Sequence, residues 1–116
     1  MFGVIKRDGE KSEFNLAKIS DAIMKAFNAT EVQYNKDIVD LLSLRVTADF
    51  QSKVQDGYVH VEDIQDSVEK ILEQSGYVET AKAFILYRKQ REKMRNLKST
   101  ILDYKDVVNS YVKVED

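Results

Sequence analysis

Residues 4–19 read VIKRDGEKSEFNLAKI, and this stretch decides the fold at the N-terminal end of the chain. Asp8-Gly9 is a strong signal for a β-hairpin turn, because both residue types tolerate positive φ and apolar and polar residues alternate on either side. Asn15 suits the N-cap position of a helix, and the apolar residues after it recur at intervals of three and four. The stretch therefore predicts a hairpin that leads directly into an amphipathic helix.

The first turn of this helix has an unusual charge. In a capping box the third residue after the cap is Glu or Gln, but here it is Lys18. A cation at that position faces the positive end of the helix dipole, and a bound phosphate would reverse the penalty. In a two-residue turn Lys6 would also lie opposite Lys11, where like charges repel unless both amines point into solvent. The sequence thus predicts an anion site here, with plain solvation of the lysines as the alternative.

The rest of the chain is predicted to be mostly helical, because it contains no proline and only four glycines. Apolar periodicity predicts further helices over about 35–54, 61–74 and 78–97, and Tyr58–His60 favours a third strand beside the hairpin. The residues predicted on the inward faces of the helices are Leu16, Ile19, Ile23, Ala26 and Phe27, then Ile38, Leu41, Leu42, Arg45, Ala48 and Asp49, with Val39, Val46 and Phe50 widening that face, then Val61, Ile64, Val68, Ile71 and Leu72, and finally Ala81, Phe84, Ile85 and the stem of Arg88.

Composition excludes several classes of function. The 116 residues fit one domain, and the absence of cysteine excludes disulfides, thiolate zinc sites and iron–sulfur ligation. The single histidine, His60, leaves no histidine-rich metal site, and a net charge of −2 argues against a general nucleic-acid binder. No apolar run is long enough to cross a membrane, and no signal segment precedes the first strand, so the expected location is the cytoplasm.

A second group of cations lies near the C-terminal end. Six of the eighteen lysines and arginines fall between Arg88 and Lys98. A solvated helix end explains most of them, since cations complement the negative pole of a helix, whereas Arg88 and Lys89 are the better candidates for a site. After Lys98 a short amphipathic helix, with Tyr104, Val107, Val108, Tyr111 and Val112 on one face, is expected to dock onto another part or to serve as a linker.

Two motifs, residues 4–9 with 14–19 (VIKRDG and FNLAKI) and residues 83–89 (AFILYRK), together resemble the ATP-cone. That family is a regulatory nucleotide-binding domain at the N-terminus of many ribonucleotide reductases and in the repressor of their genes. The repressor branch is disfavoured because it requires a cysteine zinc ribbon. The resemblance spans roughly residues 3–95 and implies an α+β, mostly α fold, a four-helix bundle capped by a three-stranded sheet, which agrees with the periodicity.

The tail, residues 102–111, resembles the linker into the catalytic barrel of anaerobic (class III) ribonucleoside-triphosphate reductases. Residues 1–97 would accordingly be the nucleotide-binding regulatory domain, and residues 98–116 the linker and start of a catalytic domain. The fragment would not be an enzyme, and it shows no nucleophile–base pair and no Walker glycine loop. The parent protein would be an oxidoreductase.

The resemblance further implies a site for ATP or dATP, with Mg²⁺ accompanying the triphosphate. Backbone groups of Val4 and Ile5 would hold the adenine, and Gln65 replaces a histidine that faces the base or sugar in some relatives. The remaining residues implied at the sugar and phosphates are Lys6, Arg7, Gly9, Asn15, Lys18 and, on the fourth helix, Lys89 with its neighbour Arg88.

In such a domain dATP would switch the parent enzyme off and ATP would keep it active. The change would come from how cones pack on each other or on the catalytic domain of a homo-oligomer. The alternative is a helical protein-interaction module that uses its basic cluster to bind an acidic partner, without nucleotide. Neither hypothesis involves nucleic acid or a membrane.

Overall fold

The structure is a computed structural model that describes the backbone of residues 2–115 and the side chains of residues 2–98. The chain forms a mostly helical α+β fold, as predicted, with a small mixed sheet and four α-helices within the described backbone. Contacts divide it into two compact units, Met1–Ile85 and Leu86–Asp116. The elements are β1 (Gly3–Ile5), β2 (Lys11–Glu13), α1 (Leu16–Ala29), α2 (Lys36–Phe50), a 3₁₀ turn (Gln51–Lys53), β3 (Tyr58–His60), α3 (Val61–Gln74) and α4 (Val78–Glu115).

The sheet has the strand order β2-β1-β3, with β1 antiparallel to β2 and parallel to β3. The predicted third strand is therefore confirmed, and it lies on the far side of β1 from β2. Val4 and Val59 are paired in the parallel register and both are buried. A hairpin of two three-residue strands is marginal by itself, so β3 and the helices beneath the sheet stabilise it.

The hairpin turn differs from the two-residue turn considered above. The backbone N–H of Lys6 donates to the carbonyl of Glu10 at 2.7 Å, and the N–H of Gly9 donates to the carbonyl of Lys6 at 2.9 Å. Gly9 has φ +88°, which gives a three-residue loop with a left-handed residue at its end. Asp8 instead accepts a hydrogen bond from the Glu10 N–H at 2.9 Å. The prediction that Lys6 faces Lys11 is wrong, because Lys6 lies opposite Glu10.

The core lies between the inner face of the sheet and α1, α2, α3 and the start of α4. The prediction was wrong for Leu16, which is 36% exposed in the first turn of α1. It was also wrong for Leu41, Arg45 and Ala48, because the buried stripe of α2 runs through Val39, Leu42, Val46 and Phe50 and leaves those three residues exposed. The buried hydrophobic residues are Val4, Ile19, Ile23, Ala26, Phe27, Val39, Leu42, Val46, Phe50, Val59, Ile64, Val68, Ile71, Leu72, Ala81 and Phe84.

Hydroxyl groups link the helices at three interfaces. Ser20 on α1 lies 2.9 Å from Ser43 on α2, and Thr30 at the end of α1 lies 3.1 Å from Thr80 on α4. Between α2 and α3, the hydroxyl of Ser67 donates to the carboxylate of Asp49 at 2.7 Å. Since a buried hydroxyl without a partner is costly, these bonds favour one alignment of the helices over slipped alternatives.

The helix α4 runs to Glu115, so the segment predicted as a linker helix continues α4. The apolar face predicted at Tyr104, Val107, Val108, Tyr111 and Val112 lies outside the residues whose side chains the structure describes. The domain boundary after residue 97 stays a prediction. Among the described residues, no helix combines the length and the apolar character that crossing a membrane requires.

Candidate functional site

The hairpin turn and the start of α3 enclose an open cleft of about 430 Å³. Four residues predicted for the site line its hairpin side, namely Ile5, Lys6, Arg7 and Gly9. They meet because β1 and β3 are parallel, so the turn that follows β1 lies beside the first turn of α3, which follows β3 directly. The opposite wall is formed by His60, Val61, Glu62 and Asp63.

Arg7 crosses from the hairpin turn to α3. Its Nη1 donates to Oε1 of Glu62 at 3.0 Å, and its Nη2 donates to Oε1 of Gln65 at 2.8 Å. The structure thus brings together two predicted site residues, Arg7 and Gln65, that are 58 positions apart in the sequence. The two bonds hold the guanidinium, whose side chain is 28% exposed, against the first turns of α3.

The start of α1 lies at the other end of β2. Asn15 has an extended backbone with φ −132°. Its side chain accepts a hydrogen bond from the Ala17 N–H at 3.0 Å. The predicted cap is therefore confirmed. The first turn of α1 contains no acidic residue, whereas the first turns of α2, α3 and α4 do. Lys18 is exposed in this turn.

The amines of Lys6 and Lys18 make no hydrogen bond or ion pair with other side chains in residues 2–98. Both residues are exposed. Lys11, by contrast, places its amine 4.5 Å from the centre of the Tyr58 ring. Two cations, one at the hairpin turn and one at a helix start, are thus available to an anion from solution.

The start of α3 is built differently. His60 precedes the helix without a side-chain capping bond, and Glu62 and Asp63 supply negative charge in the first turn. Asp63 also lies 3.7 Å from the Lys53 amine. The sequence predicted this acidic turn as normal for a helix but did not predict that Glu62 would bind Arg7. The sequence did contain one signal: Glu62, three residues before Gln65, has no cation three or four positions away on its helix.

Val4 and Ile5 lie in the central strand, which has a partner on both sides. Val4 is buried, and Ile5 is half-buried and lines the cleft. A central strand uses its backbone groups in the sheet, so the contact predicted between these backbones and an adenine stays a prediction.

Arg88 and Lys89 lie on α4 within the unit Leu86–Asp116. Lys89 is exposed and Arg88 is partly buried. In the same unit the Arg91 guanidinium lies 6.0 Å from the centre of the Tyr87 ring. The role predicted for Arg88 and Lys89 at a phosphate stays a prediction.

Comparison with known proteins identifies the family. The model of the ATP cone domain matches residues 2–93. The chain is 41% identical to the ribonucleoside-diphosphate reductase subunit alpha of Chlamydia pneumoniae over 103 residues, which cover 82% of this chain and 10% of that protein. It is 35% identical to the anaerobic ribonucleoside-triphosphate reductase of Haemophilus influenzae over 100 residues, which cover 86% of this chain and 14% of that protein.

The anaerobic ribonucleoside-triphosphate reductase of Escherichia coli is also 35% identical, over 89 residues that cover 77% of this chain and 12% of that protein. The chain therefore spans 10 to 14% of the length of these three relatives. The matched family model covers most of the chain, and the chain belongs to the ATP-cone family.

Proposed function

We propose that this ATP-cone domain binds ATP or dATP through the cations of the hairpin turn and of the first turn of α1. The observation on which the proposal depends is the start of α1, where a side-chain cap and an exposed lysine occur without any acidic residue. Such a helix end offers N–H groups, a positive dipole and a positive side chain to an anion.

The spacing of the two cationic points suits a nucleotide triphosphate. A strand of three residues, β2, separates the turn from the start of α1, and such a strand spans roughly 10 Å. A single phosphate cannot bridge that distance, but an extended triphosphate with its sugar can. Lys6, Arg7 and Gly9 would then contact the phosphates at the turn, and Lys18 and Asn15 the phosphates and sugar at the helix.

The other proposed contacts are with the base and with the metal. We assign the adenine to Val4, Ile5 and Gln65, and a phosphate to Arg88 and Lys89 on α4. No group of three or more acidic or histidine side chains that could hold a metal occurs among the described residues. Magnesium would therefore be held mainly by the phosphate oxygens, as is usual for this ion with nucleotides.

Binding would regulate the parent protein, for which we propose the activity of an anaerobic ribonucleoside-triphosphate reductase in the cytoplasm. The two anaerobic ribonucleoside-triphosphate reductases named above support this proposal, whereas the third relative is a ribonucleoside-diphosphate reductase subunit. ATP and dATP differ by one hydroxyl, and a ligand shifts an equilibrium only through its differential affinity for the two states. A missing hydrogen bond of about 1–3 kcal/mol matches a typical allosteric coupling of about 1–3 kcal/mol. We propose that dATP inhibits and ATP activates by changing how cones pack on each other or on the catalytic domain.

Titration calorimetry of the 116-residue chain with ATP and with dATP tests the proposal. Lys6→Ala and Lys18→Ala should each weaken binding by more than about tenfold, because each removes a charged hydrogen bond to phosphate. Lys25→Ala is the matched control, since Lys25 is another exposed lysine of α1 outside its first turn. Equal binding by all four proteins would contradict the proposal and favour the interaction module. Light scattering of the same samples reports any change in assembly.

A further inference from the structure

The contact between Arg7 and Glu62 pairs the arginine of the hairpin turn, which we propose to bind a phosphate, with a carboxylate of the same chain. The side chain of Glu62 is 59% exposed, so it is not fixed by packing and is free to turn away. Its position in the first turn of α3 also stabilises its charge through the helix dipole. Glu62 is therefore a well-placed partner for the guanidinium.

A triphosphate at the turn would have to share Arg7 with this carboxylate. A guanidinium has five N–H donors, and here one goes to Glu62 and one to Gln65, which leaves donors for a phosphate. However, a phosphate oxygen on the same face of Arg7 would lie close to the Glu62 carboxylate, and like charges at that range repel. Gln65 is neutral and does not add to the repulsion.

From this geometry we infer that Glu62 is an internal competitor of the nucleotide for Arg7 and lowers the affinity of the site. The inference rests on the proposed function, since it concerns the same phosphate site. When the nucleotide binds, the bond between Nη1 of Arg7 and Oε1 of Glu62 is lost. Glu62 thus raises the concentration of nucleotide that is needed to fill the site.

Glu62→Gln tests the inference, because it removes the charge and keeps the size of the side chain. We expect this variant to bind ATP about two- to fivefold more tightly than the wild-type chain, a range that follows from the energy of an exposed ion pair. Asp63→Asn is the matched control. Asp63 belongs to the same helical turn and lines the same cleft, but its ion pair is with Lys53 and not with Arg7.

The double variant Arg7→Ala/Glu62→Gln separates the contact from a general charge effect. It should bind no more tightly than Arg7→Ala alone, because without the guanidinium Glu62 has no cation of the site to pair with. Calorimetry with ATP measures all five proteins, and thermal unfolding monitored by circular dichroism verifies that each is folded.

Three results would overturn the inference: Glu62→Gln binds no more tightly than wild type, Asp63→Asn gains as much as Glu62→Gln, or the gain persists without Arg7. If the wild-type chain itself binds no nucleotide, the proposed function fails and the inference fails with it. If wild type binds and Glu62→Gln shows no gain, only the inference fails.

Discussion

The starts of α1 and α3 solve the same problem in opposite ways. Both helices begin directly after a strand region and expose unpaired backbone N–H groups with a positive dipole. The start of α1 has a side-chain cap from Asn15 and a cation, Lys18, but no acid. The start of α3 has no side-chain cap and two acids, Glu62 and Asp63. One helix end is neutralised by acidic residues of its own first turn, and the other is the end at which we propose that a ligand binds.

In the proposed function, this difference in charge distinguishes the binding site from the other helix start. A lysine in the first turn costs some stability when the site is empty, and it contributes affinity when an anion is bound. The first turn of α3 contains acidic residues instead, and one of them, Glu62, pairs with Arg7 of the hairpin turn. Each of the following changes would make one helix start more like the other or remove what distinguishes it.

Lys18→Glu should have the largest effect, because it gives α1 the acidic turn of α3. We expect nucleotide binding to fall by more than about a hundredfold, since an attractive charge becomes a repulsive one beside phosphate. The empty domain should meanwhile gain about 0.3–1 kcal/mol in free energy of unfolding from the helix dipole. Calorimetry and urea unfolding measure the two quantities. A variant that loses stability, or that keeps its affinity, would contradict the comparison.

Asn15→Ala removes the capping bond to the Ala17 N–H. We expect a loss of about 1 kcal/mol in free energy of unfolding, the usual value for losing such a cap. Asn15→Asp is the control and should restore the cap. A restored fold with weaker nucleotide binding is expected of that control, because it places a negative charge at the phosphate site.

His60→Asp supplies α3 with a side-chain cap of the kind that α1 has. His60 is the residue before α3, is exposed and has an extended backbone with φ −73° and ψ 140°, which suits an N-cap. We expect a stabilisation of about 0.5 kcal/mol, toward the low end of the range for caps because Glu62 and Asp63 already complement the dipole. Chemical unfolding would measure it, and no gain would show that the acids alone suffice.

The smallest effect concerns the pH dependence of the α2–α3 interface. The Lys70 amine at 2.9 Å and the Ser67 hydroxyl both donate to Asp49 and lower its pKa below the ordinary value of 3.8. A carboxyl whose pKa is lowered in the folded state stabilises it above pH 3.8 and loses that contribution as the pH falls through the lowered value.

The wild-type chain should therefore lose free energy of unfolding on acidification below about pH 4, and Asp49→Asn should lose less over that interval. Asp21→Asn, at an exposed position of α1, serves as the control and should follow wild type. Identical acid profiles for wild type and Asp49→Asn would show that this carboxylate contributes nothing to the acid sensitivity of the fold.

Local signals were sufficient for much of this fold. Asn15 predicted the start of α1 because capping depends on neighbours only two or three residues away. Tyr58–His60 predicted a strand, and the stripe of α3 predicted its buried face. The prediction that Leu41 is buried was wrong because a wide apolar face does not show which side meets the core, and Leu16 is exposed because it lies in the first turn of α1. The turn was also misjudged, because Asp-Gly suits both two- and three-residue loops.

The candidate site was less accessible from local patterns. Lys6, Arg7 and Gly9 stood out by their place in the turn, and Lys18 by its charge. The contact of Arg7 with Glu62 and Gln65 could not be predicted, because it depends on the parallel pairing of two strands that are 55 positions apart. Only the folded chain reveals that the guanidinium of Arg7 pairs with Glu62.

The parallel pairing of β1 with β3 also has a consequence for the order of events during synthesis. Gly3 finds its partner Tyr58 only after α1 and α2 have been made. Stable pairing of β1 requires that partner, since two short strands alone are marginal. The residues of β1 are thus among the last of this fold to become ordered, and a nascent chain that stops before β3 would lack the parallel partner of β1.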